Sequence, residues 1–284
     1  MPRIEANGLE IEYELLGDAG GQSVAITPGG RFSKDVPGIR ELGEALAADG
    51  FRVLLWDRPN CGASDLCFEG EGESRMQART LIGLIDQLGL GPTALAAGSA
   101  GSRLSLLAAA EGPDRISHLV LWWVSGGIAS LMILGADYCC FPAIAASTGG
   151  MEAVAAMPAF AEPLQRNPRN RDVLLRQDPA QFIATMERWA ACFIPPEGSP
   201  IPGMAADDFA TLTMPVLLFG NSPIDLYHPA PTTDWLKRLI PHAELVESPF
   251  AADLFARRLE DMATGTGLFV DWPQLAPKIA AFIR

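Results

Sequence analysis

Histidine is scarce in this chain. Only His118, His228 and His242 occur among 284 residues, so any step that needs an imidazole must draw on one of these three. Cysteine is little more informative: Cys61, Cys67, Cys139, Cys140 and Cys192 are odd in number and contain no Cys-x-x-Cys pair. That pattern suggests neither a disulfide framework nor a zinc site, and the cysteines are expected to be buried apolar fillers in a reducing cytoplasm. Basic residues are also short, 21 against 34 acidic ones, and the net charge of −13 comes with no Lys/Arg cluster. A nucleic-acid or anionic-membrane partner, which needs a basic surface, is thereby disfavoured. The N-terminus, Met1-Pro2-Arg3-Ile4-Glu5, lacks an apolar core segment of the kind a secretion signal carries. No internal repeat or low-complexity tract is present. The uncharged run 119–136 approaches the length of a membrane span, but Gly126-Gly127 divides it and its first part reads as a buried strand.

What is present is an interior. Hydrophobic residues make up 49% of the chain and charged residues 19%, enough for a large core and against disorder. Residues 3–16 read as a hairpin turning at Asn7-Gly8. Apolar strands at 24–27, 52–56, 93–97 and 119–124 then alternate with helical runs at 36–48, 74–88 and 103–110. Strict alternation implies a mainly parallel sheet with helices on both faces, and such sheets gather ligands at the carboxyl ends of their strands. From 128 to about 212 the rhythm breaks into helical and proline-rich segments, read as an inserted cap. The sheet resumes at 215–219, followed by a helix at 233–239, a strand at 244–247 and a terminal helix at 272–283.

The stretch Ala97-Gly98-Ser99-Ala100-Gly101 joins a strand to a helix with small residues on both sides of one serine. So abrupt a turn forces Ser99 toward strained φ/ψ, exposes its hydroxyl above the strand ends and aims the following helix N-terminus at it. A Gly/Ser turn in any α/β protein is the competing reading of this stretch alone.

Neighbouring loops sharpen it. Pro28-Gly29-Gly30 follows the third strand, Asp57-Arg58-x-x-x-Gly62-x-Ser64-Asp65 the fourth, the Ser99 turn the fifth, the helical insertion the sixth and residues 220–229 the seventh. In this order the motifs resemble the α/β-hydrolase superfamily from end to end, most like its capped members such as epoxide hydrolases, carbon–carbon bond hydrolases and prolyl aminopeptidases. The resemblance implies an eight-stranded core from 1–127 and 213–284 with a helical cap at 128–212. It makes Ser99 the nucleophile, gives oxyanion donors at the backbone N–H of Gly30 and Ala100, and matches Asp225 to the orienting acid. Pro28 stands where many members have histidine. Serine in place of an aspartate nucleophile disfavours epoxide-hydrolase chemistry.

The family's histidine comes from the loop after the eighth strand, and residues 248–254 contain none. His118 and His242 precede strands at the opposite edge. His228 alone lies on the correct edge, three residues after Asp225, although a histidine at this place reads first as a loop residue beside Pro229. The base is therefore His228, a carboxylate such as Asp253 or Asp225, or a group on the substrate. The cap's aromatic content suggests an apolar or aromatic pocket, with Trp123, Tyr138 and Trp189 as candidate substrate contacts. The leading expectation is a cytoplasmic serine hydrolase acting on a small apolar ester, lactone, thioester or diketone-like substrate, without metal or cofactor. A lyase or isomerase using the oxyanion hole, and a silent ligand-binding protein, are the alternatives; homodimerisation is left open.

Overall fold

The computed structural model describes residues 1–251, 253–264 and 267–284. The chain opens with strands β1 (Arg3–Ala6) and β2 (Leu9–Leu16), followed by β3 (Ser23–Thr27), helix α1 (Ile39–Ala48) and β4 (Arg52–Trp56). Helix α2 (Glu73–Gln87), β5 (Thr93–Gly98), α3 (Ala100–Glu111) and β6 (Ile116–Trp122) complete the first half. The sheet has eight strands in the order β1-β2-β4-β3-β5-β6-β7-β8, where β7 is Val216–Phe219 and β8 is Glu244–Val246. β1–β2 and β2–β4 are antiparallel and every other pairing is parallel. This is the mainly parallel sheet that the alternating pattern predicts, with the eight strands that the resemblance implies. β3 and β5 are buried along their whole length, which is why they read as unbroken apolar runs.

Register decides what meets at the sheet's carboxyl edge. Thr27 pairs with Ala97 and Gly98 with Trp122, so the loops after β3, β5 and β6 begin at nearly the same height. The uncharged run 119–136 divides there: its first residues lie in β6, an interior strand of the sheet, and residues 128–135 form helix α4 (Ile128–Gly135).

Residues 128–212 hold α4, a π-turn at Ala136–Cys140, and helices α5 (Phe141–Ala155), α6 (Pro158–Arg166), α7 (Arg169–Leu175) and α8 (Pro179–Ala191). They enclose a core of their own around Phe160, Phe182, Met186 and Trp189, into which Leu66 and Phe68 of the post-β4 loop insert. The span Ile128–Arg166 is long and apolar enough, by length and composition, to cross a membrane, with 28% of its most apolar window buried. Ile128, Met132, Ile133, Phe141 and Ile144 are its large exposed apolar side chains.

Polar contacts fasten this segment to the sheet. Asn170, fully buried on α7, accepts from the Leu66 amide (2.9 Å) and donates to the carbonyls of Ser64 (2.9 Å) and Pro163 (3.0 Å). Arg166 pairs with Asp35 and Glu12, and Arg169 with Glu10 and Asp65. The exposed Arg169 pairs contribute little, whereas emptying the Asn170 site strands one buried donor and two carbonyls. Asn170→Ala is therefore expected to cost about 3 kcal/mol in urea unfolding, and a loss under 0.5 kcal/mol would show that the asparagine is not a fastener.

After β7 come α9 (Ala230–Leu239), β8, α10 (Leu254–Thr264) and α11 (Ala276–Ile283). The 254–264 helix was not among the sequence-based expectations. The terminal helix is shorter than 272–283, because Trp272–Leu275 winds as a 3₁₀ turn before α11. The cysteine expectation needs correction too: Cys61 and Cys139 are buried, but Cys140 and Cys192 are exposed, and all five are free.

Candidate active site

Ser99 occupies the one residue between β5 and α3, with φ 57° and ψ −123°. A non-glycine residue at positive φ is costly, and this one is held from both sides. Its amide donates to the Trp122 carbonyl (3.2 Å), while Ser102 Oγ donates to the carbonyls of Ala97 and Trp122 (both 2.9 Å). The small neighbours are obligatory. A Cβ on Gly98 would lie 2.7 Å from the Trp272 ring, and one on Gly29 would lie 2.6 Å from Ser99 Cβ.

His228 meets Ser99 from the loop after β7. Its Nε2 lies 2.8 Å from Ser99 Oγ, and its Nδ1 lies 2.8 Å from Asp225 Oδ2. An ionised carboxylate can only accept, so Nδ1 carries the proton and Nε2 is left to accept from the serine hydroxyl. Asp225 Oδ1 accepts from the amides of Tyr227 (2.9 Å) and His228 (3.1 Å), a tight turn that fixes the acid and the imidazole relative to each other. Both side chains are almost completely buried. Burial pushes the His228 ring below its ordinary value, against the pull of Asp225 and with a further push from Arg258. Burial would raise the Asp225 carboxyl, but its bond to His228 and the Arg258 charge hold it below the usual carboxylate range.

The other histidines lie elsewhere. His118 contacts Ser117 and the Phe282 ring, and His242 Nε2 lies 3.0 Å from the Met214 carbonyl. Asp253 is exposed and pairs with Arg257.

The loop after β3 closes over the serine from the opposite side. Arg58, buried, donates to the carbonyls of Gly29 (3.2 Å) and Gly30 (2.5 Å), and Gly30 turns through φ 55°. Ala100 is the first residue of α3, so its amide has no acceptor within the helix. Gly30 and Ala100 thus stand on the two elements that flank Ser99.

Above these residues is a cavity of about 420 Å³ whose walls come from the sheet loops (Gly29, Gly30, Ser99, His228) and from the inserted segment (Leu134, Tyr138, Pro158). Tyr138, on the π-turn, lines it. Trp123 and Trp189 do not. Trp123 leaves β6 at φ 48° and lays its ring nearly parallel to His228, 5.9 Å away, so it backs the imidazole and does not line the cavity. Trp189 is turned into the helical core and donates to the Gly70 carbonyl (3.2 Å).

Two residues absent from the sequence-based list belong to the site. Arg31 lines the cavity, pairs with buried Glu73 (3.1 Å) and carries its guanidinium over the Tyr138 ring at 4.9 Å. Its place directly after Gly30 was the available signal. Arg258, on α10, donates to Asp225 Oδ2 (3.2 Å) and gave no signal, since it lies in a stretch without a motif.

Among the described residues, Glu12, Asp35 and Asp57 form a group close enough to share a metal ion. The Lys34 ammonium already sits among them, at 2.9 Å from Glu12 and 3.0 Å from Asp35, so the group reads as an ion-pair network.

Comparison with known proteins places the arrangement. Residues 28–123 match a family model described as the alpha/beta hydrolase fold. A 2-hydroxy-6-oxo-6-phenylhexa-2,4-dienoate hydrolase of Burkholderia cepacia is 34% identical over 136 residues, 45% of this chain and 46% of that protein. A 2-hydroxy-6-oxononadienedioate/2-hydroxy-6-oxononatrienedioate hydrolase of Burkholderia vietnamiensis is 37% identical over 78 residues, 28% of this chain and 27% of that protein. The chain thus spans less than half the length of these curated relatives. Likeness of fold extends further. The enol-lactonase of Burkholderia xenovorans superposes with a TM-score of 0.57 at 21% identity, covering 93% of this chain and 97% of that one. An alpha/beta hydrolase of Sphaerobacter thermophilus gives a TM-score of 0.60 at 19% identity over the full length of both. In architecture the chain has the alpha/beta hydrolase fold, and the family model of that fold matches its residues 28–123.

Proposed function

We propose that the protein is a serine hydrolase in which Ser99 is the nucleophile, His228 the general base and Asp225 the acid that orients it. The observation that carries this reading is the His228 ring, which bridges Ser99 Oγ and the Asp225 carboxylate at 2.8 Å on either side, at the floor of the cavity. An unassisted serine is a poor nucleophile at neutral pH, and a base within hydrogen-bond reach activates it. Ser99 Oγ would attack a carbonyl while His228 Nε2 takes its proton, and the amides of Gly30 and Ala100 would receive the developing oxyanion. The imidazolium would then protonate the leaving group, and water would release the acyl group by the same route.

What is atypical is the provenance of the base, which shares a loop with its acid. The non-hydrolytic alternatives were motivated by a serine with no base nearby, and a ring nitrogen at 2.8 Å weakens that motive. The cavity's size and its Leu134, Tyr138, Pro158 and Phe269 lining support a small apolar or aromatic substrate: an ester, lactone, thioester or diketone-like compound. The relatives named as dienoate hydrolases and the enol-lactonase fit within that class. The cytoplasm, inferred from the cysteine pattern, belongs to the same proposal.

A fluorophosphonate probe tests it, read by peptide mass, beside a panel of p-nitrophenyl esters. The expected result is one adduct, on Ser99, that disappears in Ser99→Ala. Because His228 must be neutral to accept the proton, and burial lowers its pKa, labelling should rise with pH and level off with its midpoint below the ordinary imidazole value. Silence of both probe and esters at every pH would sink the reading.

A further inference from the structure

We propose that Arg258 is a positioning residue of this site: from α10 it locks the Asp225 carboxylate in place and sets the acid edge of the pH range over which His228 works. The proposal rests on the Ser99–His228–Asp225 reading above.

The segment after the eighth strand, where the family's histidine would stand, supplies an arginine that acts one step behind the base. Arg258 is 9% exposed, and its Nη1 donates to the same Asp225 oxygen that receives His228 Nδ1. Its guanidinium lies 3.8 Å over the Trp123 ring, the ring that stacks against His228. One tryptophan therefore touches both the guanidinium and the imidazole, and one carboxylate oxygen serves both. With the amides of Tyr227 and His228 on the other oxygen, Asp225 receives four donors and has no free rotation.

The charge count follows from the groups that face the ring. Asp225 and Tyr227 come from its own loop, Ser99 from the β5–α3 turn, Trp123 from the end of β6 and Arg258 from α10. With a neutral imidazole, one carboxylate balances one guanidinium. With a protonated imidazole, two cations share that carboxylate in a buried site. Arg258 therefore opposes protonation of His228 and keeps it competent as a base at lower pH. An apolar residue at 258 would leave Asp225 to the ring alone, making the imidazolium easier to form and the base scarcer in acid.

Three histidines make the test tractable, because each ring gives one set of NMR signals and the set missing in His228→Gln is identified at once. Arg258→Met, Arg258→Gln and Arg258→Lys are compared with the wild type, and Arg257→Met, at an exposed neighbour paired with Asp253 and Asp271, is the control. In Arg258→Met and Arg258→Gln the titration midpoint of His228 should move up. The rate of fluorophosphonate labelling at pH 5 relative to pH 8 should fall roughly three- to tenfold. Arg258 also lines the cavity, so any change in KM for a p-nitrophenyl ester should be the same at pH 5 and pH 8, while kcat falls in acid alone. Arg258→Lys should restore most of the ratio, and Arg257→Met should match the wild type. Should Arg258→Met fail to fold, Arg258→Gln gives the same readouts with polarity kept. An unchanged midpoint and an unchanged rate ratio in the charge-removing variants would overturn the proposal. Absence of labelling in the wild type would instead count against Ser99 as nucleophile, and the NMR midpoint would still decide the role of Arg258.

Discussion

His228→Ala is expected to lower ester turnover roughly 10⁴- to 10⁶-fold, a loss as deep as that of Ser99→Ala. No second imidazole can substitute, because His118 and His242 are held at contacts away from the cavity. The carboxylates offered as alternative bases are no better placed: Asp225 faces the far nitrogen of the ring, and Asp253 is exposed and paired with Arg257. Groups that act as one unit are non-additive, so the double variant Ser99→Ala/His228→Ala should be no slower than either single one. Steady-state kinetics on a p-nitrophenyl ester decides this. Retention of a tenth or more of the activity in His228→Ala would return the base to a group on the substrate.

The second large effect falls on structure. Gly101→Val places a Cβ 2.8 Å from the Pro28 carbonyl oxygen and nearer still to that of Thr27, which are backbone atoms at the end of β3. Neither can move aside as a side chain does, so α3 must shift or the β3 loop must open, and both changes displace the proposed oxyanion donors. A loss of about 3 kcal/mol or more in stability is expected, from overpacking against backbone. Any variant that still folds should label poorly with fluorophosphonate. Gly20→Ala, where an added Cβ meets nothing within 4 Å, is the matched control and should stay within about 0.5 kcal/mol. A Gly101→Val protein as stable as Gly20→Ala would mean that the elbow does not require a small residue there.

The legibility of this molecule in its sequence follows the range of the interactions involved. The buried strands were plain because parallel strands covered on both faces need apolar residues throughout, as in β3 and β5. The Ser99 turn was plain because only small residues fit around it. His228 was legible as a candidate from its spacing to Asp225, but its contact with Ser99 depends on the path of the 220–229 loop and on the Trp123 ring behind it, neither of which leaves a periodic trace. Aromatic residues in the inserted segment could not be sorted by type: Tyr138, on the π-turn, lines the cavity, whereas Trp189, on α8, is turned into the core. Arg258 was invisible because an isolated arginine in a helix is ordinarily a solvated one, and its burial is created by elements distant in sequence.

Asp225 and His228 are three residues apart, while His228 and Ser99 are separated by 129. Two of the three groups that would do the chemistry therefore travel as one cassette. During synthesis the serine emerges long before them, and the inserted segment is made in between. The nascent chain would accordingly be chemically inert until β7 docks beside β6, at which point base and acid arrive together, already aligned with each other.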